Sequence, residues 1–127
     1  MSHIDQHKAA YQAFIEGEYE TAFKEFADDI IVHGVAKGLP FGDDYEGKQA
    51  VLEGWLPAVG ETLDGLALDP AKFIEDGDWV VVFGHQSATA GGTKVNAPFA
   101  HVWRWEGDEI AEAWFFSDGA QVAGALR

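Results

Sequence analysis

The sequence predicts an α+β fold, with helices first and a curved antiparallel sheet after them. Three observations lead there. Apolar residues recur at helical spacing through most of the first 60 of the 127 residues. After Gly65, apolar and polar residues alternate in runs closed by Gly- and Asp-rich turns, as in a β-meander. No repeat, linker or low-complexity stretch interrupts the chain, so residues 1–127 are expected to form one domain.

The first helix begins at a capping box, Ser2-His3-Ile4-Asp5, with Ser2 as the cap, and Gly17 ends it near residue 16. Ile4, Tyr11, Phe14 and Ile15 form its apolar stripe. A short second helix carries Tyr19, Phe23 and Phe26 and closes at Asp28-Asp29. Ile30-Ile31-Val32-His33 is β-branched and predicts a strand. Residues 34–46 hold three glycines and one proline and read as a loop, long enough in a small domain to suggest function. Residues 47–60 form the third helix, with Val51, Leu52, Trp55 and Val59 on one side and Pro57 kinking or breaking its last turn. Strands follow at 66–75 and 79–90, joined by Glu75-Asp76-Gly77-Asp78, and Gly91-Gly92 turns into the next.

Residues 95–118 form a long hairpin around Glu106-Gly107-Asp108-Glu109. An unbulged register sets Trp105 opposite Ile110, Trp103 opposite Glu112, His101 opposite Trp114 and Phe99 opposite Phe116. Phe99, His101, Trp103, Trp114, Phe116 and Asp118 then share one face; Ala100, Val102, Arg104, Ala113 and Phe115 share the other. A one-residue bulge would exchange the two sets along one strand.

Composition narrows the function. At 47% hydrophobic and 13% aromatic the chain folds rather than remaining disordered. It has no cysteine, which excludes disulfides and thiolate metal sites. The net charge of −14 disfavours nucleic acid and anionic membranes as partners. No run approaches membrane-spanning length, and the N-terminus lacks a signal-peptide core, so a cytoplasmic protein is expected.

Asp118 reads either as a general acid or base, its pKa raised by apolar neighbours, or as the N-cap of a short C-terminal helix in which Val122 and Leu126 pack back. His101 reads either as a pocket acid/base or as a neutral core histidine. His33, at the mouth of the long loop, and His85, on the Trp79/Val81/Phe83 face, are further candidates. No H-x-H or H-x-x-x-H pair joins these histidines, so no metal is expected. Phe14, Phe41, Trp55, Trp103 and Trp114 read as pocket wall or core.

Several motifs occur in a familiar order: Tyr11-x-Ala13-Phe14-x-x-Gly17, Phe26-Ala27-Asp28-Asp29, Gly47-Lys48-x-Ala50-Val51, His101-Val102-Trp103-Arg104-Trp105, and Trp114 through Asp118. Together they resemble the SnoaL-like polyketide cyclases, of the nuclear transport factor 2-like superfamily that also holds ketosteroid isomerase and limonene epoxide hydrolase. The resemblance covers nearly the whole chain. It implies a cone-shaped barrel in which a strongly bent sheet wraps three helices around a deep apolar pocket, and a homodimer through the outer sheet face. It also implies cofactor-free chemistry without a metal. The isomerase's base position falls on Gly34 and its oxyanion aspartate on Ala100, and only Asp118 matches the epoxide hydrolase set. Asp118 and His101 look like the acid/base aspartate and nearby histidine of the cyclases, and Tyr11 sits on the helix that lines the pocket.

Three functions follow as expectations. The first is a cyclase-, isomerase- or hydrolase-type enzyme acting on a small apolar ligand, with catalytic Asp118, His101 and Tyr11. Phe14, His33, Phe41, Trp55, Phe99, Trp103, Trp114 and Phe116 would be its binding residues. The second is a non-catalytic binder of an apolar metabolite, and the third a protein-interaction module.

Overall fold

The computed structural model describes residues 3–36 and 38–126. Helices α1 (Ile4–Ile15) and α2 (Tyr19–Ala22) lead into β1 (Phe26–His33) and the short β2 (Asp44–Glu46). One helical stretch follows: α3 (Lys48–Ala50), a π-helical segment (Val51–Trp55) and α4 (Leu56–Thr62). Then come β3 (Asp64–Asp76), β4 (Trp79–Ala90), β5 (Thr93–Glu106), β6 (Glu109–Ser117) and α5 (Gly119–Ala125). The strands form one sheet in the order β2-β1-β6-β5-β4-β3, antiparallel except for the β1–β6 pair. The α+β class and the curved sheet over three helical stretches are as expected. The sheet stays open, with β2 and β3 as its edges.

Curvature has local causes. Register shifts occur between Pro70 and Lys72 on β3, between Arg104 and Trp105 in the β5–β6 pair, and between Phe26 and Ile31 in the β1–β6 pair. Each adds twist and bends the strand that carries it. Gly84 faces the β3 irregularity. A Cβ there would lie 2.3 Å from the Asp69 carbonyl oxygen and 2.9 Å from the Phe99 ring, so the close approach requires glycine.

Several expectations change. Asp28 and Asp29 do not close a helix; they lie exposed within β1, which starts four residues earlier than its β-branched run. Burial of Phe26 and Ala27 in the core outweighs the poor strand propensity of the two aspartates. The long loop ends in β2, which pairs Asp44 with His33 and Glu46 with Ile31. Pro57 does not stop the third helix. The π-helical segment just before it widens the ladder where proline has no N–H to give, and the helix runs on to Thr62. In α1 the buried stripe passes through His7, Tyr11 and Ala13, while Ile15 is 45% exposed. His3 occupies the N-cap position, and Ser2 lies outside the described residues.

The main core joins α1, α2, the π-helical segment and the inner faces of β1, β4, β5 and β6; its fully buried members include Ile30, Val32, Val51, Val82 and Trp105. A smaller cluster packs Val122 of α5 against Val59, Leu63, Ala90 and Val95. Among the described residues no helix is long and apolar enough to cross a membrane.

Candidate functional site

The face of β5 that looks inward carries Phe99, His101, Trp103 and Trp105. On β6 the alternation is broken. Trp105 pairs with Ile110, but Arg104 pairs with Glu112, so Ala111 is an extra residue. Beyond it the faces exchange. Ala113, Phe115 and Ser117 look inward with His101, while Glu112, Trp114 and Phe116 look out. This corrects the expected register: Trp114 and Phe116 do not line the interior, and Phe115 takes their place. A bulge is set by tertiary fit, so alternation alone does not mark it.

Between α1, the 48–62 helical stretch and this inner face lies a cavity of about 110 Å³. Phe14, Phe41, Trp55, Trp103, Leu66 and Phe115 supply much of its apolar wall. Its polar groups fall into two sets.

The first set is Tyr11 with His101. The Tyr11 hydroxyl lies 2.6 Å from His101 Nδ1, and Trp103 Nε1–H donates to the same hydroxyl at 3.3 Å. An indole nitrogen only donates. The arrangement that gives both the indole and the phenol proton an acceptor has Trp103 donating to Tyr11 and Tyr11 donating to Nδ1. His101, a residue of the cavity lining, is then a neutral imidazole with its proton on Nε2. Burial lowers the His101 pKa to about 3, helped by the nearby His7. Burial likewise pushes the Tyr11 phenol up, against the pull of the Trp103 hydrogen bond. Phe99 stacks on His101 with centroids 4.2 Å apart, so it backs the ring rather than lining the cavity.

The second set lies where α1 begins. His7 is 1% exposed, and its Nε2 accepts from Trp105 Nε1–H at 2.9 Å. Burial lowers its pKa to about 4, and His3 adds to the shift. Glu25, in the turn before β1, lines the same end, and burial pushes its carboxyl up from the ordinary range.

The structure thus brings together Tyr11, His101, Phe14, Phe41, Trp55 and Trp103. Asp118 is elsewhere. It is exposed at the N-terminus of α5, where its Oδ1 accepts from Gln121 N–H at 3.2 Å. The capping alternative holds, because the chain must turn there from strand to helix and the side-chain oxygen meets an N–H of the first turn that has no partner within the helix. His33 is also outside the cavity. It lies on the outer face, 2.7 Å from Glu112 Oε2, and stacks on Trp114. His85 is exposed on that face too. Sequence reasoning missed His7, Glu25 and Phe115. His7 fills the gap between Ile4 and Tyr11 on the helical stripe, and that periodicity marks it. Nothing comparable marks Glu25. Among the described residues no group of three or more His, Asp or Glu is arranged to hold a metal ion.

Comparison with known proteins agrees with this architecture. The family described as SnoaL-like domain matches residues 7–113. No protein of curated function matches the sequence. Among solved structures, an NTF2-like protein of unknown function from Burkholderia pseudomallei is 24% identical, with TM-score 0.90, covering 99% of this chain and 98% of its own. TerC, crystallised with polyporic acid, is 27% identical, with TM-score 0.84 and coverage of 97% and 96%. IdmH from Streptomyces antibioticus, described as a proposed polyketide cyclase, is 19% identical, with TM-score 0.77 and 99% coverage of both chains.

Proposed function

The chain belongs to the SnoaL-like domain family, and on that premise we propose that its cavity receives a small, mostly apolar carbonyl compound and acts on it by cofactor-free acid–base chemistry of the cyclase or isomerase kind. One observation carries this reading. Tyr11 occupies Nδ1 of His101 at 2.6 Å, which leaves Nε2–H as a fixed donor at an apolar cavity. A ligand carbonyl oxygen accepts that bond. When solvent hydroxide takes a proton from the carbon beside the carbonyl and becomes water, negative charge grows on the carbonyl oxygen, and a fixed donor in a low-dielectric site favours that enolate. The low pKa of His101 suits it to donate as a neutral imidazole and not to serve as a base. Likeness to IdmH and TerC supports an aromatic or polyketide-type ligand. At about 110 Å³ the cavity is smaller than the roughly 150 Å³ that holds benzene, so a slim single-ring ketone enters by moving the cavity walls apart.

A second reading is a binder without turnover. The position of Asp118 favours it, since the carboxylate expected to act as base caps α5 instead. The two readings separate on benzylacetone in deuterated buffer. Calorimetry is expected to show binding, weakened about tenfold in His101→Phe, which keeps a ring but loses the donor. Exchange of the protons beside the carbonyl, followed by NMR and lost in His101→Phe, marks the enzyme; binding without exchange marks the binder. No binding at all ends both.

We also propose that the partner on the outer sheet face is a second copy of the chain, and that the protein works in the cytoplasm. Trp79, Phe83 and Phe116 are each 43–44% exposed on that face, which supports an apolar contact there. The acidic charge argues against nucleic acid or an anionic membrane in that place.

A further inference from the structure

Glu25 is the one residue, among those described, with a buried side-chain polar atom that has no hydrogen-bond partner; that atom is Oε2. The residue lines the cavity beside Phe26, Trp105 and Ile110. Its backbone is fixed, because its carbonyl accepts from Ile110 N–H at 2.7 Å just after the β5–β6 turn. A buried carboxyl oxygen without a donor is destabilising. Groups held at such a cost are expected where something outside the chain completes them.

The inward residues of β5 give the cavity its long axis. Trp105, paired with Ile110, marks the Glu25 end, and His101 lies four residues away along extended strand, about 13 Å. Between them stand Trp103 and Phe14. One end therefore offers a hydrogen-bond donor, the other an acceptor in want of one, with aromatic walls between.

We infer that Glu25 is a second ligand-binding residue, whose carboxyl takes a hydrogen bond from a hydroxyl at the end of the ligand remote from its carbonyl. This rests on the carbonyl reading of His101 and narrows it: the ligand class is a slim hydroxylated aromatic ketone. A hydroxyl fits better than an ammonium group. Burial raises the Glu25 pKa despite Lys24 and Lys48, and a group that resists ionising matches a neutral partner.

The test compares benzylacetone with its para-hydroxy derivative by calorimetry, on the wild-type protein and on Glu25→Met. The hydroxylated ketone is expected to bind the wild type about tenfold more tightly than the plain one. In Glu25→Met that preference disappears, while the plain ketone binds as in the wild type. The ligand-free variant should also melt at a higher temperature, because an unpaired polar atom has been removed. A preference absent from the wild type, or one that survives in Glu25→Met, overturns the inference while leaving the His101 reading intact if the plain ketone still binds. A lower melting temperature in Glu25→Met overturns it too, since the carboxyl is then structural. If neither ketone binds the wild type, both readings fall together.

Discussion

His7 and His101 are held neutral inside the fold, each beside an aromatic donor that leaves little room for a proton. Their ordinary pKa is 6.5, and in the fold they sit at about 4 and about 3. The sign follows directly. Below pH 6.5 the unfolded chain takes up protons that the folded chain refuses, so the stability these groups supply is present above 6.5 and is lost as pH falls toward 4 and then 3. Each accounts for about 1.4 kcal/mol per pH unit in that window. Glu25 acts in the opposite sense, since its raised pKa lets the folded state accept a proton first, and so does relief of repulsion among the surface acids. The two histidines are therefore isolated by difference. Between pH 6.5 and 5, His101→Phe should lose about 2 kcal/mol less stability than the wild type in parallel denaturant titrations. Equal losses would show that His101 is protonated in the fold. At this scale the sequence marked Tyr11 and His101 through their places on an apolar stripe and an alternating strand. It did not mark Glu25, which sits in a turn with no periodicity to reveal where its side chain goes.

Strands and helices were legible wherever their signals are local. The turns at Gly77, Gly91-Gly92 and Gly107 adopt positive φ, and the strands they join start and end within a few residues of expectation. What sequence did not show is register. Ala111 carries no side-chain signal of a bulge, yet it decides whether Phe115 or the Trp114/Phe116 pair reaches the cavity. β2 was invisible for a related reason: three residues acquire strand geometry only because β1 lies beside them. The bulge can be tested as an element. Deleting Ala111 removes the extra residue and leaves Glu112 opposite Arg104, so Ala113 and Phe115 stay inward and Glu112, Trp114 and Phe116 stay outward. Glu112 now pairs with His33 and Arg104 on the outer face, at 2.7 and 3.3 Å. A slip that paired Glu112 with Trp103 instead would bury that charge without them and bring three large side chains into the space of Ala113 and Phe115. The deletion variant should therefore keep the fixed near-ultraviolet circular dichroism of the cavity tryptophans. Loss of that spectrum in the deletion variant would mean that the extra residue itself holds the register.

At the scale of the whole molecule, the sheet has a second apolar side. Ile31, Ile74, Trp79, Phe83 and Phe116 are each 38–44% exposed, and the strand order spreads them from β1 across to β3. Trp79 stacks on Trp114, and Trp114 on His33, so the surface is ordered without a partner. Within the face Arg104 and His33 both meet Glu112. Two chains of charge −14 repel each other over most of their surface, so the face where large apolar side chains are most exposed is the side on which a second copy gains most from contact. Stable association needs about 800 Å² from each partner, an area that a six-stranded face can supply. The same strand then serves both sides, for β6 turns Phe115 toward the cavity and Trp114 and Phe116 toward the partner. Phe83, on β4 one strand in from the β3 edge, is the residue to change, because it contributes nothing to the buried core. Light scattering should give the wild type twice the chain mass of 13.8 kDa and Phe83→Asp the mass of one chain, since closing the face would bury an unpaired carboxylate. Circular dichroism of Phe83→Asp should match the wild type. A wild type that is monomeric at the concentrations used for ligand binding would remove the second copy and leave the outer face for a different partner.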